Sequence, residues 1–128
     1  GFKAGYAYNT YPMMNGDFFP SDGLFFHPTW INFFENTATI QWVHRWLGIS
    51  ILITLLATTI ILKKSSSWSI LKKQFFYLLL TALLQVALGI LNILYSIPIA
   101  LATLHQLCAC LFILIYFRLT FRASNCAN

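Results

Sequence analysis

Glu35-Asn36-Thr37-Ala38-Thr39-Ile40-Gln41-Trp42-Val43-His44-Arg45-Trp46-Leu47-Gly48 runs from polar, ionisable residues straight into apolar ones. Residues 46–62 carry no charge, and about 20 mostly apolar residues suffice to cross a bilayer core. The stretch therefore opens a transmembrane helix, with His44 and Arg45 just inside its entrance. An ionisable side chain at membrane depth is costly without a partner, so its default reading is a functional group facing the protein interior. The rest of the chain must supply that partner.

The 128 residues are 59% hydrophobic and only 9% charged, with a mean hydropathy of +0.71. That excludes an ordinary soluble domain and predicts an all-α membrane protein, a transmembrane helical bundle with three spans. The net charge of +5 points to topology and not to nucleic acid. Lys63, Lys64, Lys72, Lys73 and Arg122 flank apolar spans and form no patch, and by the positive-inside rule they put the loop after the first span on the cytoplasmic or matrix side. Arg118 and Arg122 put the C-terminal end there too.

Residues 1–37 form no span, because glycines, prolines and acids interrupt the apolar residues. They are expected to be a loop outside the bilayer core, with Tyr11-Pro12 and Asn15-Gly16 as local breakers. After Pro28, the spacing of Trp30, Phe33 and Phe34 fits a short helix lying in the interface, or else an irregular loop packed on the bundle. The spans are expected at about 38–62, 74–96 and 98–121, making 38–122 the bundle and 123–128 an inner-side tail. Thr81, Gln85, Gly89 and Asn92 recur at near-helical spacing in the second span, which puts them on one stripe facing the bundle. Pro98 marks a tight outer turn.

Two of the three histidines fall in spans. At about 1.5 Å per residue, His44 lies roughly 28 Å above Lys63 and His105 roughly 26 Å above Arg122. Two imidazoles at one depth on two membrane helices are what a six-coordinate haem needs, one nitrogen from each side of the macrocycle. Arg45 could pair with haem propionates, and Gln41 and Gln106 could orient the rings or the propionates. A simple interhelical hydrogen bond is the plainer reading. A zinc or copper site is a third, because Cys108 shares a helical face with His105, although three ligands so spread in sequence are unusual for zinc. Cys108 and Cys110 otherwise read as small buried hydrophobes, and Cys126 as a free thiol in the tail. His27 reads as an exposed loop residue. Glu35 reads as an acid, a proton carrier or a first-turn residue favoured by the helix dipole.

Several of these stretches resemble one family. Ala4-Gly5-Tyr6-Ala7-Tyr8-Asn9-Thr10-Tyr11-Pro12-Met13-Met14-Asn15-Gly16 resembles an outer-loop signature of heme A synthase, and Glu35 to Arg45 resembles its second signature. Gln85-Val86-Ala87-Leu88-Gly89-Ile90, Pro98 and His105-Gln106 follow in that family's order. The resemblance implies an eight-helix membrane enzyme of two similar four-helix halves, which oxidises a methyl group of haem O to the formyl group of haem A. It implies that this chain corresponds to the C-terminal half, without the helix that would precede Gly1, and that it binds haem b (iron, bis-histidine) through His44 and His105. The substrate haem O and the proposed catalytic glutamate would then belong to the N-terminal half, so no catalytic residue is expected here. The implied partners are the lipid bilayer, the N-terminal half, a heme O synthase and an electron donor or acceptor. The implied location is a bacterial or mitochondrial inner membrane, with the N-terminal loop on the periplasmic or intermembrane side. A small bis-histidine cytochrome b anchor for electron transfer, or a non-haem membrane assembly protein, would share the spans but not the loop signatures.

Overall fold

A computed structural model describes the backbone of residues 4–127 and the side chains of residues 4–124. Cys126, expected as a free thiol, lies outside the described side chains. The described chain is all-α, and three of its helices are long and apolar enough to cross a membrane. A short helix α1 (Asn32–Glu35) precedes the long helices α2 (Thr37–Leu62), α3 (Trp68–Leu94) and α4 (Ile99–Ala127).

Asn36 separates α1 from α2. Its extended backbone, at φ −81° and ψ 114°, breaks the helical run, and its side-chain oxygen accepts from the Ala38 and Thr39 amides at 2.9 and 3.3 Å. Those amides have no partner inside the helix, which is why asparagine suits an N-cap. Glu35 thus ends the short helix and stands exposed just ahead of the cap, not in the first turn of the long helix. Trp30 sits in a single 3-10 turn (Thr29–Ile31), and Phe33 and Phe34 in α1, all three exposed. Of the two readings their spacing left open, a short helix and an irregular loop, the segment shows a 3-10 turn running into one turn of α-helix.

The outer loop is a folded cap. Buried Asn32 clamps it by accepting from the Phe26 amide at 2.9 Å and donating to the Phe26 and Thr29 carbonyls at 2.8 and 2.9 Å. Thr39 donates to the Gly23 carbonyl. Asn15-Gly16 forms the turn its sequence suggests, with φ of 53° and 97° and paired Met14–Asp17 main chains on either side. Positive φ at both central positions is the reason for that dipeptide.

α3 begins six residues earlier than the hydropathy suggests, so Lys72 and Lys73 lie within it and not in the loop. Both are exposed. Their alkyl stems can follow the helix while the ammonium groups reach the polar boundary, so a lysine pair marks depth without ending a helix. The connection after α2 shrinks to residues 63–67. Likewise α4 continues through Ala127, so the tail expected at 123–128 is helical as far as residue 127.

The helices converge at the end near that connection. Leu71, Phe75, Leu78 and Leu119 are buried together, with Leu55, Leu62, Trp68, Phe112 and Ile115 against them. There the Gln74 amide, with its oxygen turned outward, accepts from Arg122 Nη1 at 2.7 Å. α3 and α4 pack closely on each other, whereas α2 packs on α3 alone of the two. Among the described residues, no Cα of α2 comes within 8 Å of one in α4. The two histidine-bearing helices, α2 and α4, are therefore separated by a cleft.

Candidate functional site

The cleft has a volume of about 680 Å³ and is walled by α2, α3, α4 and the beginning of the outer loop. Its residues on α2 include Gln41, His44, Arg45 and Gly48, and those on α3 include Gln85, Gly89 and Asn92. Both sets follow helical spacing, so each is one face of its helix. Ala102, His105, Gln106 and Ala109 line it from α4. The polar stripe expected on the second span faces the bundle.

His44 and His105 meet across this cleft. Their ring centres are 6.4 Å apart with planes inclined at 70°. His105 is half-buried, and its Nε2 lies 3.2 Å from Gln85 Nε2. Gly89 gives that ring its room, since a Cβ there would stand 3.3 Å from His105 Cε1. Asn92, one turn farther on, donates to the Leu88 and Leu101 carbonyls at 3.0 and 3.2 Å and ties α3 to the start of α4.

Arg45 and Gln41 sew the outer loop to the cleft rim. The Arg45 guanidinium donates to the Thr10 carbonyl at 2.8 Å, the Tyr8 carbonyl at 3.1 Å and Gln41 Oε1 at 3.1 Å. Gln41 Nε2 donates to the Gly5 and Tyr8 carbonyls at 3.0 and 3.1 Å. Tyr11 places its ring centre 6.0 Å from the guanidinium carbon. Of the Arg45 donors, buried Nε has no partner. Gln41 is fully occupied by the loop and by Arg45, so it does not reach either histidine ring. Gln106 lines the cleft but is exposed.

The outer turn closes the same end. Ser96 and Ile97 both adopt positive φ, 55° and 56°, and the Ile97 amide donates back to the Asn92 carbonyl at 2.7 Å. Positive φ is rare for a β-branched residue. Here it carries the Ile97 side chain against Gly5, where any Cβ would clash with it, and Asn9 donates to Ser96 Oγ at 3.1 Å. Pro98 follows, and α4 starts at Ile99.

Among the described residues, four buried side-chain polar atoms have no hydrogen-bond partner: Arg45 Nε, Gln85 Oε1, Asn92 Oδ1 and His105 Nδ1. All four belong to residues that line this one cleft. Buried polar groups are paired in the great majority of cases, so such a concentration marks a place built for something besides packing. Among the described residues, no three His, Cys, Asp or Glu side chains gather to hold a metal ion. Cys108 instead points its thiol to the Thr81 carbonyl at 3.5 Å, and His27 is exposed in the loop.

The family described as COX15-CtaA, cytochrome oxidase assembly protein, matches residues 1–117. This chain belongs to that family. It is 38% identical to a heme A synthase of Wolbachia pipientis wMel over 83% of its own length and 28% of the relative. To the heme A synthase of a Wolbachia from Brugia malayi it is 40% identical over 84% of itself and 30% of the relative, and to that of Ehrlichia canis 38% over 85% and 30%. The chain thus spans about three-tenths of the curated relatives it matches. No solved structure matches it. The COX15-CtaA chain is an integral membrane protein, and the relatives it matches are named heme A synthases.

Proposed function

We propose that this COX15-CtaA chain is the haem b-binding, C-terminal half of a heme A synthase, with His44 and His105 as the two axial ligands. The observation that carries the proposal is the facing histidine pair. Metal–imidazole bonds of about 2 Å place two axial nitrogens roughly 4 Å apart, and ring centres about 1 Å behind each nitrogen come out near 6 Å apart. The spacing of 6.4 Å agrees. The cleft volume lies in the range of small-molecule and cofactor sites, its walls are mainly apolar, and the residues with unpartnered polar atoms line it.

Bound haem b would supply one-electron transfer. The protein's own part is to hold the macrocycle from both faces, to keep water out with the loop docked by Gln41 and Arg45, and to offer one remaining donor, Arg45 Nε, to a propionate. In this reading the substrate haem O and the acid that acts on it lie in the N-terminal half of the intact enzyme. A heme O synthase would deliver the substrate, and a separate redox partner would take the electrons. The outer loop would face the periplasm or intermembrane space of a bacterial or mitochondrial inner membrane.

Expression of the full-length protein with a heme O synthase, followed by extraction of membrane haems, tests the activity. Haem A is the expected product. A full-length protein that binds haem b yet leaves haem O unconverted would favour the electron-transfer anchor.

A further inference from the structure

At the end of the bundle opposite the outer loop, buried Gln74 of α3 accepts from Arg122 Nη1 of α4 at 2.7 Å. The amide is itself fixed, its nitrogen donating to the Ile70 and Leu71 carbonyls at 3.2 Å, so one arm of the guanidinium is held in place while the side chain stays exposed. Arg118, also exposed, stands one turn away on the same face of α4. Neither arginine has a carboxylate to answer it. The chain's three acids, Asp17, Asp22 and Glu35, all precede α2. That helix ends at Leu62, which packs on the same core as Leu119, and its 26 residues put the acids about 40 Å away.

Depth and the neighbouring side chains indicate what supplies the anion. About 20 residues cross the hydrocarbon core, and a core that begins at Ile99, where α4 starts, ends at Arg118. Both arginines therefore fall in the headgroup layer. One and two turns back toward the bilayer centre, Leu114 and Leu111 continue the arginine stripe and are 66% and 49% exposed. A phospholipid presents this same sequence of groups, a phosphate and then an acyl chain. A soluble anion makes no use of the leucines, and an acidic protein would not reach their depth. The guanidinium fork suits phosphate oxygens, which it can bind in pairs.

We propose that Arg118 and Arg122 form the headgroup site of a bound phospholipid of net negative charge, with Gln74 orienting Arg122, and Leu114 and Leu111 receiving an acyl chain. Lys63, Lys64, Lys72 and Lys73, exposed at the same end, add attraction for anionic lipid without a defined geometry. The site is independent of the haem reading of the cleft.

Full-length protein in detergent, titrated with phosphatidylglycerol or phosphatidylcholine and read as lipid adducts by native mass spectrometry, tests this. The parent should bind phosphatidylglycerol the more tightly. Arg118→Gln/Arg122→Gln should lower that affinity about 25-fold, about fivefold per cation, and phosphatidylcholine binding far less. Lys63→Gln/Lys64→Gln removes the same charge from the same end and should cost much less; an equal loss would reduce the site to diffuse surface charge and overturn it. Should the arginine variant fail to accumulate, Gln74→Glu decides, because its carboxylate gives Arg122 an internal counter-ion while every cation remains. Phosphatidylglycerol affinity lowered about fivefold supports the site, and unchanged affinity rejects it. Inorganic phosphate at constant ionic strength should leave the adduct in place; displacement would make the arginines a soluble-anion site. Equal binding of the two lipids by the parent would mean that another segment or an acidic partner covers this flank, and would overturn the proposal.

Discussion

Arg45 sits at the rim of a cleft with most of its donors turned to main-chain carbonyls of the outer loop. Its planar fork matters there as much as its charge, because it reaches the carbonyls of Tyr8 and Thr10 together, which an ammonium group does poorly. Arg45→Lys and Arg45→Ala should therefore both release the loop, at a cost on the order of 3 kcal/mol for the lost charge-assisted bonds. Limited proteolysis between residues 8 and 16 reads this out; protection by lysine equal to the parent's would mean that charge alone suffices. Tyr8 offers a second handle. It donates to Asp22 Oδ1 at 2.7 Å, and this bond, aided by burial and by the carboxylate's charge, holds the phenol above its ordinary pKa. A raised folded-state pKa means the contribution is complete below the unfolded value of about 10 and disappears as pH rises through the folded one. Loop protection in the parent should accordingly fall off above pH 10, and in Tyr8→Phe the step should vanish. Arg45 shows why single residues were only half legible. An arginine beside an intramembrane histidine signals a polar partner, but carbonyls some 35 positions away in sequence leave no pattern from which to infer them.

At the scale of elements, the long apolar runs and the polar junction at residues 35–48 carry most of the information. A charge-free stretch is decisive for a membrane helix, and Asn15-Gly16 for a tight turn, because each depends on local chemistry alone. The start of α3 was hidden for the opposite reason, since exposed lysines on a membrane helix look like loop until their stems are known to run along it. The parting of α2 from α4 depends on packing at the far end and has no sequence signature. Asn36 is where local and tertiary roles meet, for besides capping α2 it donates to the Asp22 carbonyl at 2.6 Å and to Asn32 Oδ1 at 3.2 Å. Asn36→Ala should cost more than the roughly 1 kcal/mol of an ordinary cap. Thermal unfolding in detergent compares it with Asn36→Asp, which keeps the cap but not the donor. Equal stability of the two would show that the donor bonds contribute nothing.

For the whole molecule, α2 standing off α4 while both pack on α3 produces a cleft whose wall the folded loop completes. Six of the chain's eight Lys and Arg residues, Lys63, Lys64, Lys72, Lys73, Arg118 and Arg122, lie toward the end opposite the outer loop, so a single cysteine introduced near Asp22 should react with a membrane-impermeant thiol reagent from the outer face. Reaction only after the membrane is opened would invert the topology. Depth-matching of two histidines was readable from helix rise, whereas their separation by a cleft and the presence of Gln85 at one ring were not, because both depend on how three helices splay. The most direct measurement is the haem b content of the intact protein by pyridine hemochrome, parent against the double variant His44→Ala/His105→Ala, in membranes with equal amounts of protein. Loss of the cleft's haem b with the polypeptide still inserted is the predicted result; a double variant that retains the parent's full haem b content would contradict the assignment of these two histidines as its ligands.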